Sequence, residues 1–361
     1  MLRLVALSLA AVGALGEHMF EYKGGAKPCD IYVDDEGLEM CGPAIVIIGA
    51  GKCGTNKLAS HLRQFDNIKH TAESEVYFDP YWIEASQTVR KHNPGVRPDD
   101  PYVWMIKWLS LFREPDIEAV LGRIHKAWPS AVVYMSICDQ ILLDYRWFRH
   151  NLRPWEGLIG EVDGYLKANF NRSALDLYVE ARPVADSCYP PKGLMDILNK
   201  VVDDGGPSRR EDQKGGIKEI AKRFWPGTLG SSCIEASLYG TWLYRMLLAA
   251  QKSPYYTLGE NFAVVVMENW LDETQATDNI KRIAEVLPMH TDNKALPQSN
   301  LAAKEFSIPT ELERVFPAQP AYDLLRQKLP ATYWATTAAV NCKILKLADA
   351  TAPAWYTESF C

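Results

Sequence analysis

Hydrophobic and polar residues follow two alternating patterns along the chain from residue 44 onward. Largely apolar runs that are typical of buried strands occupy residues 44–48, 102–108, 131–137 and 262–267. Segments with the apolar spacing of helices lie between and after them, at 55–65, 115–128, near 232–251 and at about 274–287. Strands that alternate with helices indicate βα units, in which helices cover both faces of a parallel sheet. The pattern therefore predicts an α/β fold.

This rhythm is lost between about residues 151 and 230. That stretch contains Pro183, Pro190 and Pro191, and its segment 203–216, DDGGPSRREDQKGG, is polar and rich in glycine. Such composition is typical of exposed loops. At 361 residues the chain is long enough for two domains. We nevertheless predict a single domain over 17–361, with a large irregular insertion at about 151–230.

The N-terminal segment has the features of a secretory signal peptide. Arg3 precedes an uncharged apolar run from Leu4 to Gly16, and the small residues Ala14 and Gly16 precede Glu17. We predict a signal peptide over residues 1–16 and a protein of the Golgi lumen or the extracellular space. Two alternatives remain open: an uncleaved signal-anchor, which alone would attach the protein to a membrane, and a buried N-terminal helix.

A secretory route makes disulfides possible, and the sequence has eight cysteines. Three pairs are candidates by position: Cys29 with Cys41, Cys342 with Cys361 and, more weakly, Cys188 with Cys233. The remaining two, Cys53 and Cys138, fall within predicted core elements and are expected to be free. The only glycosylation sequon begins at Asn171, which favours a surface loop there and a glycoprotein.

Composition and charge exclude several classes of protein. The chain is 47% hydrophobic, which suffices for a large core. Its formal charge of −6 leaves no basic surplus for binding phosphates along a nucleic acid, so no nucleic-acid partner is expected. No apolar run reaches the ~18 residues of a membrane span, which excludes a polytopic membrane protein.

The segment with the clearest chemistry is a glycine-rich turn between the first predicted strand of the alternating region and the following helix. Residues 45–58 read IVIIGAGKCGTNKL. Backbone N–H groups at such a helix N-terminus readily bind anions, although a tight turn without a ligand has the same form. A Walker A loop fails on spacing, because position 46 is Val and Lys52 is followed by Cys53.

A dinucleotide-binding turn is a formal alternative. Gly49, Gly51 and Gly54 satisfy G-x-G-x-x-G, and Glu75 lies about 20 residues further on, where such proteins place an acidic residue. This alternative implies an oxidoreductase that uses NAD or FAD. Against it, residues 67–71 (NIKHT) make a poor second core strand, and a lysine within the turn suits separate phosphate or sulfate groups better.

The turn resembles the phosphosulfate-binding loop of sulfotransferases that use 3′-phosphoadenylyl sulfate (PAPS). Their pattern, a strand followed by G-x-x-K-x-G-T-[TS]-x-L and a helix, is matched by Gly49, Lys52, Gly54, Thr55 and Leu58, with Asn56 in place of Thr or Ser. The resemblance implies a P-loop-type parallel sheet flanked by helices and no metal. It also implies that Lys52 contacts the 5′-phosphosulfate within a donor-binding turn made of Gly49, Gly51, Lys52, Cys53, Gly54, Thr55, Asn56 and Lys57.

Further segments are similar to the heparan-sulfate-type members of that family. Residues 73–78 (ESEVYF) resemble the segment that carries their catalytic glutamate, and Glu75 matches that position. Residues 105–108 (MIKW) resemble a strand end at which Lys107 would lie beside the base and the transferring sulfuryl group. The resemblance, which continues over 231–290, implies sulfuryl transfer to a hydroxyl or amine of a glycan or other small hydroxylated acceptor.

One family motif is missing. Where the family binds the 3′-phosphate of its donor with an arginine and a serine, this chain has Met135 and Leu143. Neither side chain can bind a phosphate, whereas Arg146, Arg149 and Arg153 follow closely and could substitute. A sulfotransferase-like protein that binds glycans without turnover is therefore an open alternative.

Overall fold

The structure is a computed structural model of the chain. It describes residues 29–34, 36–49, 51, 53–63, 68–70, 93–108, 117–140, 143, 162–173, 176, 242–271, 279, 282–283, 286–287, 327 and 331–350. The chain forms two compact units: one comprises 1–138, 242–309 and 343–356, and the other comprises 139–241, 310–342 and 357–361. The predicted insertion lies within the second unit.

The described residues of the first unit form two sheets. A short antiparallel sheet pairs β1 (Ile31–Val33) with β2 (Glu39–Cys41). A parallel sheet of five strands follows, with the order β4-β5-β3-β6-β7. Its strands are β3 (Ile45–Gly49), β4 (Ile68–His70), β5 (Val103–Trp108), β6 (Val132–Ile137) and β7 (Phe262–Val266).

The described residues also form helices. In the first unit these are α1 (Thr55–Leu62) and α2 (Ile117–Ala127), and a 3₁₀ helix, Met267–Leu271, follows β7 directly. α3 (Val162–Phe170) belongs to the second unit, and α4 (Ala331–Leu347) has residues in both. Residues 242–252 are also helical. Among the described residues, no helix is both long and apolar enough to cross a membrane.

The predicted α/β class and the predicted parallel sheet flanked by helices are confirmed. All residues of β3, β5, β6 and β7 are buried, as expected for parallel strands that are covered on both faces. Continuous burial explains why these four strands are recognisable as largely apolar runs, which only Lys107 of β5 and Ser136 of β6 interrupt apart from the glycine that ends β3.

The strand order differs from that of a classical dinucleotide-binding fold. In that fold the second strand of the parallel sheet lies beside the first. Here β4, the second, pairs with β5, and β3 has β5 and β6 as its neighbours. Residues 68–70 do form a strand, which corrects the expectation drawn from NIKHT. The apolar pattern does not reveal this strand, because a strand of three residues at the edge of a sheet needs no apolar run.

The expectation that 151–230 is irregular is wrong for α3. The prolines and glycines on which it rested lie further along the chain, whereas Val162, Tyr165 and Leu166 have helical spacing. Asn171 follows α3 directly, is exposed, and has a left-handed conformation with φ 53°, which is common just after a helix. The predicted surface position of the sequon is thus confirmed.

His61 joins α1 to the segment that follows β7. Its imidazole stacks on the indole of Trp270, with ring centroids 4.0 Å apart and an angle of 7° between the planes. Burial, assisted by the nearby positive charge of Lys57, lowers the pKa of His61 from 6.5 to about 3. The folded protein therefore holds this imidazole neutral at any pH above about 3.

We predict that His61 makes folding sensitive to mild acid. An unfolded chain protonates its histidines near pH 6.5, so unfolding takes up a proton between that pH and about 3, and the free energy of unfolding falls as the pH falls. His61→Phe keeps an aromatic ring against Trp270 without a titrating group. In urea unfolding, the wild type should lose about 2 kcal/mol more than the variant between pH 7 and pH 5. Equal losses would contradict the buried, neutral state of His61.

Candidate anion-binding site at the end of β3

The turn between β3 and α1 is built from glycines that have no room for a side chain. Gly49 has φ 136°, and a Cβ atom there would lie 2.7 Å from the carbonyl oxygen of Ser136 on β6. Gly54 has φ 75°, and a Cβ atom there would lie 1.8 Å from Sδ of Met267. Both conformations are left-handed, which glycine adopts without steric cost. Glycine at both positions thus lets the turn pass between β6 and the 3₁₀ helix.

Helix α1 begins directly after this turn. Gly54 is the N-cap residue, and the first helical hydrogen bond runs from the N–H of Leu58 to the carbonyl of Gly54, at 3.0 Å. The N–H groups of Thr55, Asn56 and Lys57 therefore have no acceptor within the helix. The first turn contains no acidic residue and carries Lys57. Helix dipole, N–H groups and charge all favour an anion here.

Lys107 lies at the same end of the sheet. It belongs to β5 and is the parallel neighbour of Ile47 on β3. Its side chain is only 6% exposed, and its Nζ donates a hydrogen bond to Oδ1 of Asn56 at 2.5 Å. Two residues that the sequence placed in separate motifs, 51 positions apart, are thus in direct contact. The contact brings an ammonium group to the N-terminus of α1.

A disulfide between Cys53 and Cys138 ties the turn to β6, so the expectation that both cysteines are free is wrong. Their Cα atoms are 5.3 Å apart, and Oγ of Ser136 donates a hydrogen bond to the carbonyl of Cys53. The reason is strand order: β3 and β6 are neighbours, with Gly49 beside Ser136, so residues just past the two strand ends meet. Two cysteines just past predicted strand ends are the only sequence signal for this pair.

The other cysteines agree with prediction where the structure describes them. Cys29 and Cys41 form the predicted disulfide, with Cα atoms 5.2 Å apart. Cys342 is also disulfide-bonded. Its predicted partner Cys361 lies outside the described residues, as does the predicted pair of Cys188 and Cys233.

Two of the three predicted catalytic residues, Lys52 and Glu75, lie outside the described part of the chain, so their roles stay predictions. The turn residues Gly49, Gly51, Cys53, Gly54, Thr55, Asn56 and Lys57 are described, and they form the strand–turn–helix unit that the sequence suggested. Among the described residues, no group of His, Cys, Asp and Glu side chains could hold a metal ion.

The residues that replace the 3′-phosphate motif are fully buried. Met135 lies within β6 between Ile48 of β3 and Val264 of β7, and Leu143 is buried in the second unit. Both side chains are core residues. Neither offers a polar atom to a phosphate.

We predict that the Cys53–Cys138 disulfide serves both stability and the turn. Removing it with Cys53→Ala and Cys138→Ala should lower the free energy of unfolding by about 4 kcal/mol, since it closes a long loop. It should also weaken binding of adenosine 3′,5′-bisphosphate, the product that the resemblance to PAPS-dependent sulfotransferases implies, measured by calorimetry, because the turn loses its covalent tie. The matched control is Cys29→Ala with Cys41→Ala, which should cost stability and leave this affinity unchanged. Equal affinity in both variants would contradict a role for the tie in binding.

Comparison with known proteins finds similar solved structures but no matching family and no matching curated protein. Among solved structures, the chain is similar to the crystal structure of a sulfotransferase from Alicyclobacillus acidocaldarius, at 15% identity and a TM-score of 0.44. The match covers 87% of this chain and 98% of that one. A likeness of this size carries no inference about activity, so the function has to be sought in the residues of the turn.

Proposed function

We propose that the protein is a sulfotransferase that moves a sulfuryl group from PAPS to a hydroxyl or amine of a carbohydrate acceptor. The contact between Lys107 and Asn56 is the observation that carries the proposal. The two residues belong to separate motifs of the same family pattern, and the fold puts them in contact. If the two short segments resembled the family only by chance, no contact between Asn56 and Lys107 would be expected.

The proposed reaction assigns a role to each predicted residue. Glu75 accepts the proton of the acceptor hydroxyl as its oxygen attacks sulfur, so that an O–S bond forms while the S–O bond to the 5′-phosphate breaks. Adenosine 3′,5′-bisphosphate leaves. Lys52 and Lys107 neutralise the charge that develops on the bridging oxygen and the sulfuryl group. The N–H groups at the start of α1 supply donors that are already oriented, an effect that often dominates such catalysis.

The described residues fit one end of the donor better than the other. The turn offers N–H groups, two glycines without room for side chains and a nearby ammonium, which suit the phosphosulfate. The 3′-phosphate has no partner at Met135 or Leu143. We propose that Arg146, Arg149 or Arg153 binds it instead; all three lie outside the described residues.

The proposal includes a compartment and a class of partner. Disulfides persist in oxidising compartments, so those at Cys29–Cys41 and Cys53–Cys138 support a protein of the Golgi lumen or the extracellular space. The net charge of −6 is unfavourable for a long polyanion such as heparin. We therefore propose a small or weakly charged glycan as the acceptor.

A second candidate is a glycan-binding protein without turnover. The burial of Met135 and Leu143 favours it, because donor binding then lacks one of its two anchors. An NAD- or FAD-dependent oxidoreductase is disfavoured by the position of β4 beside β5 rather than β3.

We predict that the protein binds adenosine 3′,5′-bisphosphate in preference to NAD, FAD and ATP. A specific ligand at 100 times its dissociation constant stabilises a fold by about 2.7 kcal/mol, which thermal unfolding detects easily. Stabilisation by the bisphosphate alone is the expected result. No response to it would refute the proposal, and stabilisation without sulfate transfer from PAPS to any of a panel of glycans would favour the glycan-binding alternative.

We further predict that Lys107→Met and Glu75→Gln each lower kcat/KM for sulfate transfer by at least about 100-fold, because one removes a charge from the transition state and the other removes the base. Lys69→Met is the matched control. Lys69 is also a strand lysine, but its ammonium lies 4.1 Å from the centre of the Tyr102 ring, and we expect its loss to leave the rate unchanged. Full activity of Lys107→Met would remove Lys107 from the mechanism.

A further inference from the structure

Asn56 stands where the family pattern has a hydroxyl residue, and the structure gives it a specific contact. From this contact we infer that Asn56 is a positioning residue. Its Oδ1 fixes the ammonium of Lys107 beside the N-terminus of α1 without cancelling the positive charge of that group. The inference rests on the proposed function, because Lys107 acts on the transferring group only within it.

The ammonium group of Lys107 stays in one place only if the groups around it hold it there. Lysine carries a compact charge on a flexible four-carbon chain, so the acceptors around the ammonium decide where it lies. The side chain is 94% buried, and a buried ammonium must be hydrogen-bonded. Asn56 supplies an acceptor at 2.5 Å from the first turn of α1, which is held in place by the turn and by the Cys53–Cys138 disulfide.

The second observation is that the side chain of Asn56 carries no charge. An acidic residue in the first turn of a helix is stabilising, because it faces the positive end of the helix dipole. An aspartate at position 56 would also form an ion pair with Lys107. The chain instead has an amide, which accepts the same hydrogen bond and adds no negative charge. Residue 56 therefore holds the ammonium of Lys107 without itself neutralising the positive charge.

This reasoning predicts opposite effects of one substitution on stability and on binding. Asn56→Asp should unfold at an equal or higher urea concentration than the wild type, since the carboxylate gains the helix dipole and the ion pair. The same variant should bind adenosine 3′,5′-bisphosphate at least about tenfold more weakly, because its carboxylate repels the anion and pairs with Lys107.

Asn56→Ala tests the positioning itself. Alanine is a better helix former than asparagine, which offsets part of the cost of removing an acceptor from a buried ammonium, and urea unfolding checks that the variant is folded in the assay. Loss of a hydrogen bond to a charged group should lower kcat by about 10- to 100-fold with a smaller change in KM, while Asn56→Ser, which restores an acceptor, recovers part of the loss. Ser60→Ala, one turn further along α1, is the matched control and should leave kcat and KM unchanged.

A double-mutant cycle decides whether Asn56 acts through Lys107. In a Lys107→Met background, Asn56→Ala should have little further effect on kcat. If Asn56→Ala lowers kcat as much in the Lys107→Met background as in the wild type, the inference is wrong. It is also wrong if Asn56→Asp binds the bisphosphate as tightly as the wild type does. If the wild type binds no bisphosphate, the proposed function fails separately. The same cycle is then measured on the free energy of unfolding. If the effects of Asn56→Ala and Lys107→Met are not additive, the coupling of the two residues is supported; if they are additive, the positioning role of Asn56 is overturned.

Discussion

Everything at the proposed site depends on how closely the turn after β3 approaches its two neighbours. Backbone of β6 lies where a side chain of residue 49 would be, and Met267 lies where a side chain of residue 54 would be. The turn therefore has only one path into α1, and that path sets the direction of the helix N-terminus. Close packing of this kind transmits position well, because interiors have little free volume in which to adjust. The disulfide from Cys53 adds a covalent tie to the same neighbour, β6.

The electrostatics follow from this geometry. Once α1 begins at Gly54, its dipole and the first N–H groups, which have no acceptor within the helix, face the carboxyl edge of the sheet, where ligands of open α/β sheets bind. Lys107 reaches that edge because it stands next to Ile47 in the register of β5 and β3. The chain as a whole is acidic, at −6, so the attraction for an anion is local and comes from a few oriented groups. This explains why a small number of residues, Asn56 among them, has so large a part in the proposed chemistry.

Sequence reasoning succeeded where one physical signal dominated. The buried strands β3, β5, β6 and β7 are largely apolar runs because both of their faces are covered, and the glycine turn is visible because left-handed backbone favours glycine. It failed where the answer depends on neighbours in space. β4 has three residues at an edge, and the Cys53–Cys138 pair depends on β6 lying beside β3, an order that no local pattern encodes. The contact of Asn56 with Lys107 was invisible for the same reason, although both residues had been singled out.

The end of β6 shows how these features constrain one another. The family pattern uses this strand end to bind the 3′-phosphate of the donor. Here Met135 is a core residue, Ser136 donates a hydrogen bond to the turn, and Cys138 is covalently bonded to it. These three side chains therefore pack in the core or hold the turn, and they are not available to a ligand. Recognition of the 3′-phosphate, if this chain binds it, must then come from residues beyond the strand. The disulfide of Cys138 and the hydrogen bond of Ser136 both attach the turn to the strand end at which the family pattern has its arginine.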